Sequence, residues 1–179
     1  PYVSRVLRPE GLGRVNFAEA VLYYFVMLAT LGIPLYGVRE SARCRDDRIA
    51  LSTLAVELLS LNTVMVAIAF GAFGAFMMCS RRASSDPVLF WVCALPMLLT
   101  PIGFRWLFNG LEEYVYIMVR TLGIRVLVLI AIFLFVRTQE DYRIYALIGA
   151  LNSMGVSLLN ACFVRKHISV HRVDWKKLN

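Results

Sequence analysis

Five apolar runs, at about 15–38, 49–78, 87–107, 114–136 and 144–164, divide this chain, each bounded by charged or turn-forming residues. A helix rises about 1.5 Å per residue, so about 20 apolar residues cross a hydrocarbon core of about 30 Å. Within that core no water can satisfy exposed N–H and C=O groups, and helices satisfy their own. The runs therefore predict an all-α fold, a polytopic transmembrane helix bundle over 1–164 with a basic cytoplasmic interfacial segment at 165–179. Composition agrees. Of 179 residues 59% are hydrophobic and 17% charged, against roughly 45–50% and 25% in soluble domains.

The charges sit where topology needs them. Net charge is +7, yet the basic residues cluster at the ends of apolar runs, which points to membrane orientation and headgroups and away from nucleic acid. Arg39, Arg43, Arg45 and Arg48 crowd one short loop, and the bias of basic loops toward the cytoplasm puts that loop inside. Alternating crossings then bring the joint at 108–113 and the tail at 165–179 inside as well. Arg81 and Arg82, in the turn at 79–86, go against a strict count. An outside N-terminus requires one more span upstream, and the chain begins at Pro1 without Met, so the sequence is expected to be a fragment.

Within the runs, the polar and helix-breaking residues carry the information. Pro1 to Arg14 is rich in Gly and Pro and reads as a loop leading into a helix. In the first span Asn16, Glu19 and Tyr23 share a face. Near its end, Gly32-Ile33-Pro34 should bend the helix, as a static kink or as a hinge. The second span is longer than a bilayer needs and should tilt or protrude. Its Glu57 is an interior polar group or part of a protruding end, and the glycines of the 70–76 segment suit close helix packing. Pro96, Pro101 and Gly103 predict a bent or interrupted third span, which can mark a transport site or mere shape.

The fourth span poses the sharpest problem. Charges inside hydrocarbon cost about 2.5–3.5 kcal/mol each on insertion scales. Arg120 lies close enough to the span's start to snorkel. Arg125 lies about 16 Å along the axis, near the midplane. Glu113, Tyr116 and Arg120 share one face. Arg125 either lines a polar cavity or pairs with Glu19 or Glu57 of another helix. In the fifth span Gly149, Ser153, Ser157 and Asn160 form a small, polar stripe beside Asn152, a pattern more common in helix contacts than in ligand sites.

Chemistry of bond making is not legible. The four cysteines are scattered, His167 and His171 are two ligands where zinc needs more, and there is no nucleophile–base pair or Gly-rich phosphate loop. No cofactor or metal is implied, and the chain reads as a non-enzyme.

Two stretches carry a likeness. The N-terminal 1–47 segment, with PYVSRVLRPEGLGRVNFAEA and GIPLYGVRESARCRDD, and the 104–147 segment, with FRWLFNGLEEYVYI, resemble bacterial polysaccharide and O-antigen flippases. These are the lipid-linked oligosaccharide translocases of the multidrug/oligosaccharidyl-lipid/polysaccharide exporter superfamily. The resemblance implies about twelve to fourteen helices in two lobes around a central cavity, of which this chain would be spans two to six. It implies an inner-membrane protein that moves an undecaprenyl-pyrophosphate-linked glycan to the outer leaflet by alternating access. Its partners would be that lipid-linked oligosaccharide, membrane lipids, a polysaccharide polymerase and a chain-length regulator. Arg105 and Arg8 depart from the family pattern, which bears on the substrate.

A pyrophosphate stripped of water needs a substitute for that water, and arginine offers a planar fork of donors that stays protonated. Arg125 and Arg120 are the expected anion contacts, with Arg5 or Arg39 at the rims. Asn16, Glu19 and Tyr23 are candidates for sugar hydroxyls or an ion-coupling step, and Glu113 completes the Arg120 face. The rival readings are a cation-coupled multidrug exporter, which would favour an acidic cavity, and a non-transporting scaffold, which would leave Arg125 paired and the interior dry.

Overall fold

A computed structural model describes residues 2–81 and 83–164. Arg82 and the basic segment at 165–179, with His167 and His171, lie outside the described residues. Among the described residues there are helices and no strand. In chain order they are α1 (Tyr2–Val6), α2 (Arg8–Thr30), α3 (Ile33–Arg43), α4 (Arg48–Cys79), α5 (Pro87–Leu98), a 3₁₀ turn (Pro101–Gly103), α6 (Arg105–Gly110), α7 (Tyr114–Phe135) and α8 (Tyr142–Val164). A second 3₁₀ turn, Gln139–Asp141, leads into α8. Four helices are long and apolar enough to cross a membrane: α2, α4, α7 and the turn-plus-α8 unit Gln139–Val164. The pair Pro87–Leu98 and Pro101–Gly110, bent by 51°, makes a fifth if counted as one span.

Local chemistry explains most boundaries. The Asp47 carboxylate accepts from the amides of Ile49 (2.9 Å) and Ala50 (3.1 Å), capping the start of α4. Asp86 accepts from the Leu89 amide, and Pro87 fills the first position of α5, where its missing N–H removes nothing. The stretch expected to be a loop at 1–14 is instead mostly helical over its described residues, 2–14. Pro9 falls in the first turn of α2, where proline starts a helix rather than breaking one. Gly11 is buried against Tyr142 and Gln139 and so acts in packing.

The expected bend near Pro34 is a full break. Thr30 ends α2, and Gly32, at φ +79°, opens α3 in a left-handed conformation that suits glycine. Pro34 then lies in the first turn of α3. The third span is interrupted too, through the 3₁₀ turn at Pro101–Gly103 and Phe104, whose φ of +41° is unusual for a bulky residue.

Two apolar clusters close the bundle at opposite ends of α4. At one end Phe73 packs with Val15, Leu22, Leu89, Phe90 and Ala146. At the other, Leu51, Leu54 and Leu58 pack with Ile33, Trp106, Leu107, Phe108 and Val164. A thinner layer of Ala29, Val66, Ala69 and Met97 lies between. By contrast α7 buries none of its residues, and its Val119, Leu122, Val126 and Leu129 are exposed in a way that suits acyl chains.

The half-helices α3 and α6 lock together through absent side chains. A Cβ on Gly37 would lie 2.6 Å from the Trp106 ring, and one on Gly110 would lie 1.8 Å from Ser41 Oγ and 2.8 Å from the Val38 carbonyl oxygen. Arg45 and Glu112, in the loops that follow, pair at 2.8 Å. At the start of α5, Asp86 accepts from Tyr142 Oη (2.6 Å) and pairs with Arg143 (3.0 Å), tying α5 to α8.

Two outcomes are expected. Gly110→Ala should destabilise the protein by about 1–3 kcal/mol, because the clash with Val38 is with backbone and cannot be relieved by a rotamer change. A melting curve in detergent identical to that of the native protein would contradict this. Burial would raise the Asp86 carboxyl, but hydrogen bonds from Tyr142, Arg143 and the Leu89 amide hold it below the usual carboxylate range. Its tether is therefore present above the unfolded value of about 3.9 and is lost as pH falls through the lower folded value. Melting temperature followed from pH 7 to pH 3 should show this loss in the native protein, and Asp86→Asn should flatten it.

Candidate functional site

Where both broken spans open, a cavity of about 720 Å³ lies between the two apolar clusters. That is within the range of about 300–1,000 Å³ typical of ligand pockets. The ends of α2 and α3 contribute Thr30 and Pro34, and α4 contributes Asn62 from the interval between Leu58 and Val66. The interrupted third span lends Thr100, Gly103 and Phe104, and α6 lends Arg105, Trp106 and Asn109. Arg120, Thr121 and Arg125 enter from α7, and Asn152, Ser153 and Ser157 from α8. Breaks in helices free backbone polar groups, and membrane proteins tolerate them where they line such a space.

Among the described residues the lining carries three guanidinium groups and no carboxylate. The carboxylates that pair with arginine do so elsewhere: Glu40 with Arg39 and Arg43, Glu112 with Arg45, Asp86 with Arg143. Among the described residues none pairs with Arg105, Arg120 or Arg125. Arg125 therefore makes no ion pair with Glu19 or Glu57, the alternative open to it from sequence. Arg120 is held by neutral groups. Its Nη1 donates to Asn160 Oδ1, and its guanidinium stands 5.5 Å from the Tyr116 ring centroid, a cation–π distance. Its Nε is buried and unpartnered among the described residues, as is Asn62 Oδ1. Buried polar atoms left open beside a cavity are places for a ligand or water to bind.

Of the residues singled out in the sequence, the cavity gathers Arg120 and Arg125. The others lie elsewhere. Tyr23 faces out of α2 at 67% exposure. Asn16 and Arg5 are exposed on α2 and α1. Glu19 Oε1 comes against α8, 3.7 Å from where a Cβ on Gly149 would sit. Arg39 pairs with Glu40 at 3.4 Å on α3. Glu113 occupies the position before α7, outside the cavity lining. These six do not line the cavity: Asn16, Glu19 and Tyr23 share the face of Val26 and Thr30, which do line it, but lie one or more turns nearer the start of α2, and Arg5, Arg39 and Glu113 stand outside the lining. Sequence reasoning missed the Asn62 and Asn109 amides, noted Arg105 only as a departure from the family pattern, and placed Asn152 beside the α8 stripe without a role. Ser153 and Ser157 were assigned to helix contacts, yet both line the cavity. The available signal was the coincidence of polar residues on α8 with the two proline-interrupted spans.

The helices define an all-α, polytopic membrane protein whose spans enclose a cation-lined cavity. The sequence profile of the family described as "Polysaccharide biosynthesis protein" matches residues 1–177, and the chain belongs to that family. It is also 22% identical over 164 residues to a protein of Escherichia coli (strain K12) named "Putative O-antigen transporter", a match covering 92% of this chain. The chain spans 40% of that relative's length. No solved structure matches it.

The open, cationic character of the cavity can be read directly. With the native cysteines replaced, Ser153→Cys in the full-length protein should react with a sulfonate-bearing thiosulfonate reagent about tenfold faster than with a trimethylammonium one of similar size, since nearby cations concentrate anions. Equal rates, measured by mass spectrometry of the labelled protein, would contradict it.

Proposed function

We propose that this chain forms part of a transporter that flips an undecaprenyl-pyrophosphate-linked oligosaccharide from the cytoplasmic to the outer leaflet of the bacterial inner membrane, for polysaccharide or O-antigen synthesis. Membership of the polysaccharide biosynthesis family supports the substrate class. The observation that carries the reading is the carboxylate-free cavity with its three arginines. An anion moving between leaflets loses its hydration, and groups that replace water must be polar, cationic and already in place. Arg125, at mid-span, and Arg120 supply charge-assisted hydrogen bonds to the pyrophosphate. Arg105 adds a third cation from the mouth of α6. The amides and hydroxyls of Asn62, Asn109, Asn152, Ser153 and Ser157 are of the kind that pair with sugar hydroxyls.

Alternating access would use the breaks at Gly32–Pro34 and Thr100–Phe104, where two spans change direction beside the cavity. The chemistry is non-covalent, so the protein works as a transporter and not as an enzyme. The polymerase and chain-length regulator of the same pathway are its expected partners. An exporter of cationic drugs would place carboxylates where this cavity places guanidiniums, and a passive scaffold would have no use for unpaired cations at mid-span.

The test is Arg125→Ala in the full-length protein, expressed in a strain lacking its flippase. Surface glycan should fall about tenfold or more, the scale expected for losing a charge-assisted contact of about 1.5–3 kcal/mol. Arg39→Ala, at a site outside the cavity, should export normally. Unimpaired glycan from Arg125→Ala at normal protein level would overturn the proposal.

A further inference from the structure

Asn160 is fully buried on α8, with no accessible surface, and it joins three elements. Its Nδ2 donates to the Gly103 carbonyl at 2.5 Å, in the 3₁₀ turn that interrupts the third span. Its Oδ1 accepts from the Arg120 guanidinium and from Tyr116 Oη (3.5 Å), both on α7. The chemistry of the partners fixes the amide's orientation. A carbonyl can only accept and a guanidinium can only donate, so the NH₂ must face Gly103 and the oxygen must face Arg120. Among common side chains of this length, a primary amide alone supplies a donor and an acceptor without a charge.

We infer that Asn160 is the positioning residue for Arg120: it holds the guanidinium at the cavity with a neutral acceptor, so the cation is oriented but not cancelled. This rests on the anion-binding reading above and deepens it. A carboxylate in the same place would hold Arg120 equally well in space. It would also neutralise the charge and lose the donor to Gly103. A bare methyl would leave Arg120 and the Gly103 carbonyl both unsatisfied. The neutral bridge also links the shape of the interrupted span to the position of the cation, because one side chain touches both. One bond to Asn160 leaves the other guanidinium N–H donors of Arg120 for an anion in the cavity, while its buried Nε has no partner among the described residues. The packing of Gly103 against Ser157 Oγ, 3.3 Å from an added Cβ, keeps the turn close enough to α8 for this bridge to form.

The experiment uses purified full-length protein in detergent and undecaprenyl pyrophosphate in the same micelles, titrated by calorimetry. Asn160→Asp should lower affinity tenfold or more, because the carboxylate cancels the charge of Arg120 and gives up the donor to Gly103. Native affinity in Asn160→Asp would overturn the inference. A double-mutant cycle separates positioning from general support. Asn160→Ala should weaken binding in the native background and leave it unchanged in the Arg120→Ala background. Equal losses in both backgrounds would mean that Asn160 acts through the fold at large, and would equally overturn it. This cycle decides the matter should Asn160→Asp fail to accumulate. If instead the native protein binds no pyrophosphate lipid and Arg125→Ala exports normally, the flippase reading itself fails. If those hold and only the Asn160 cycle is additive, the positioning role alone fails.

Discussion

A guanidinium in the middle of a membrane helix is the constraint from which this architecture follows. Arg125 stands about 16 Å along α7, too deep to reach either surface through lipid. Such a group needs water, a counter-charge or dipoles. The bundle supplies the last. Hydroxyls and amides from α2, α4, α6 and α8, with Thr100 from the turn after α5, converge on the level of Arg120 and Arg125, while the apolar clusters are pushed to either end of the long helix α4. The core is thus split in two, and the space between its halves is polar.

The helix breaks belong to the same arrangement. Two segments, α2–α3 and α5–α6, are interrupted at the height of the cavity. An interruption in lipid would leave backbone groups without partners, but here those groups face polar side chains. The Gly103 carbonyl finds Asn160, and the Thr30 hydroxyl returns to the Val26 carbonyl (2.9 Å) at the end of α2. Phe104 holds a left-handed backbone at the same place. Sparsely populated conformations of this kind persist where surrounding structure holds them, and they gather at functional sites.

Fold class and span number were legible because bilayer thickness turns apolar length into architecture, and Arg120 and Arg125 stood out because their insertion is so costly. Helix ends were less legible. Pro9 resembled a loop residue, but its position in the first helical turn removed the penalty that proline otherwise carries. The site was half legible. Charge marks itself in a sequence, whereas Asn62 or Ser157 gains meaning only from what faces it across the bundle. Asn16, Glu19 and Tyr23 shared a face as read from periodicity, but periodicity says nothing about which neighbour that face meets. Arg105 looked like a misfit in its motif until the turn at Gly103 brought it round to the cavity.

The interlock of α3 with α6 has a mechanical outcome. Gly37 receives the Trp106 ring, Gly110 receives Ser41, and a pair between Arg45 and Glu112 closes the far end. Two segments from different spans therefore form one interlocked tongue, joined to the chain at Leu31–Gly32 and Leu99–Phe104 and packed on α4 through Ile33, Trp106, Leu107 and Phe108. Any swing of the tongue carries Arg105 and Trp106 together, so the wall of the vestibule and one of its cations shift in step.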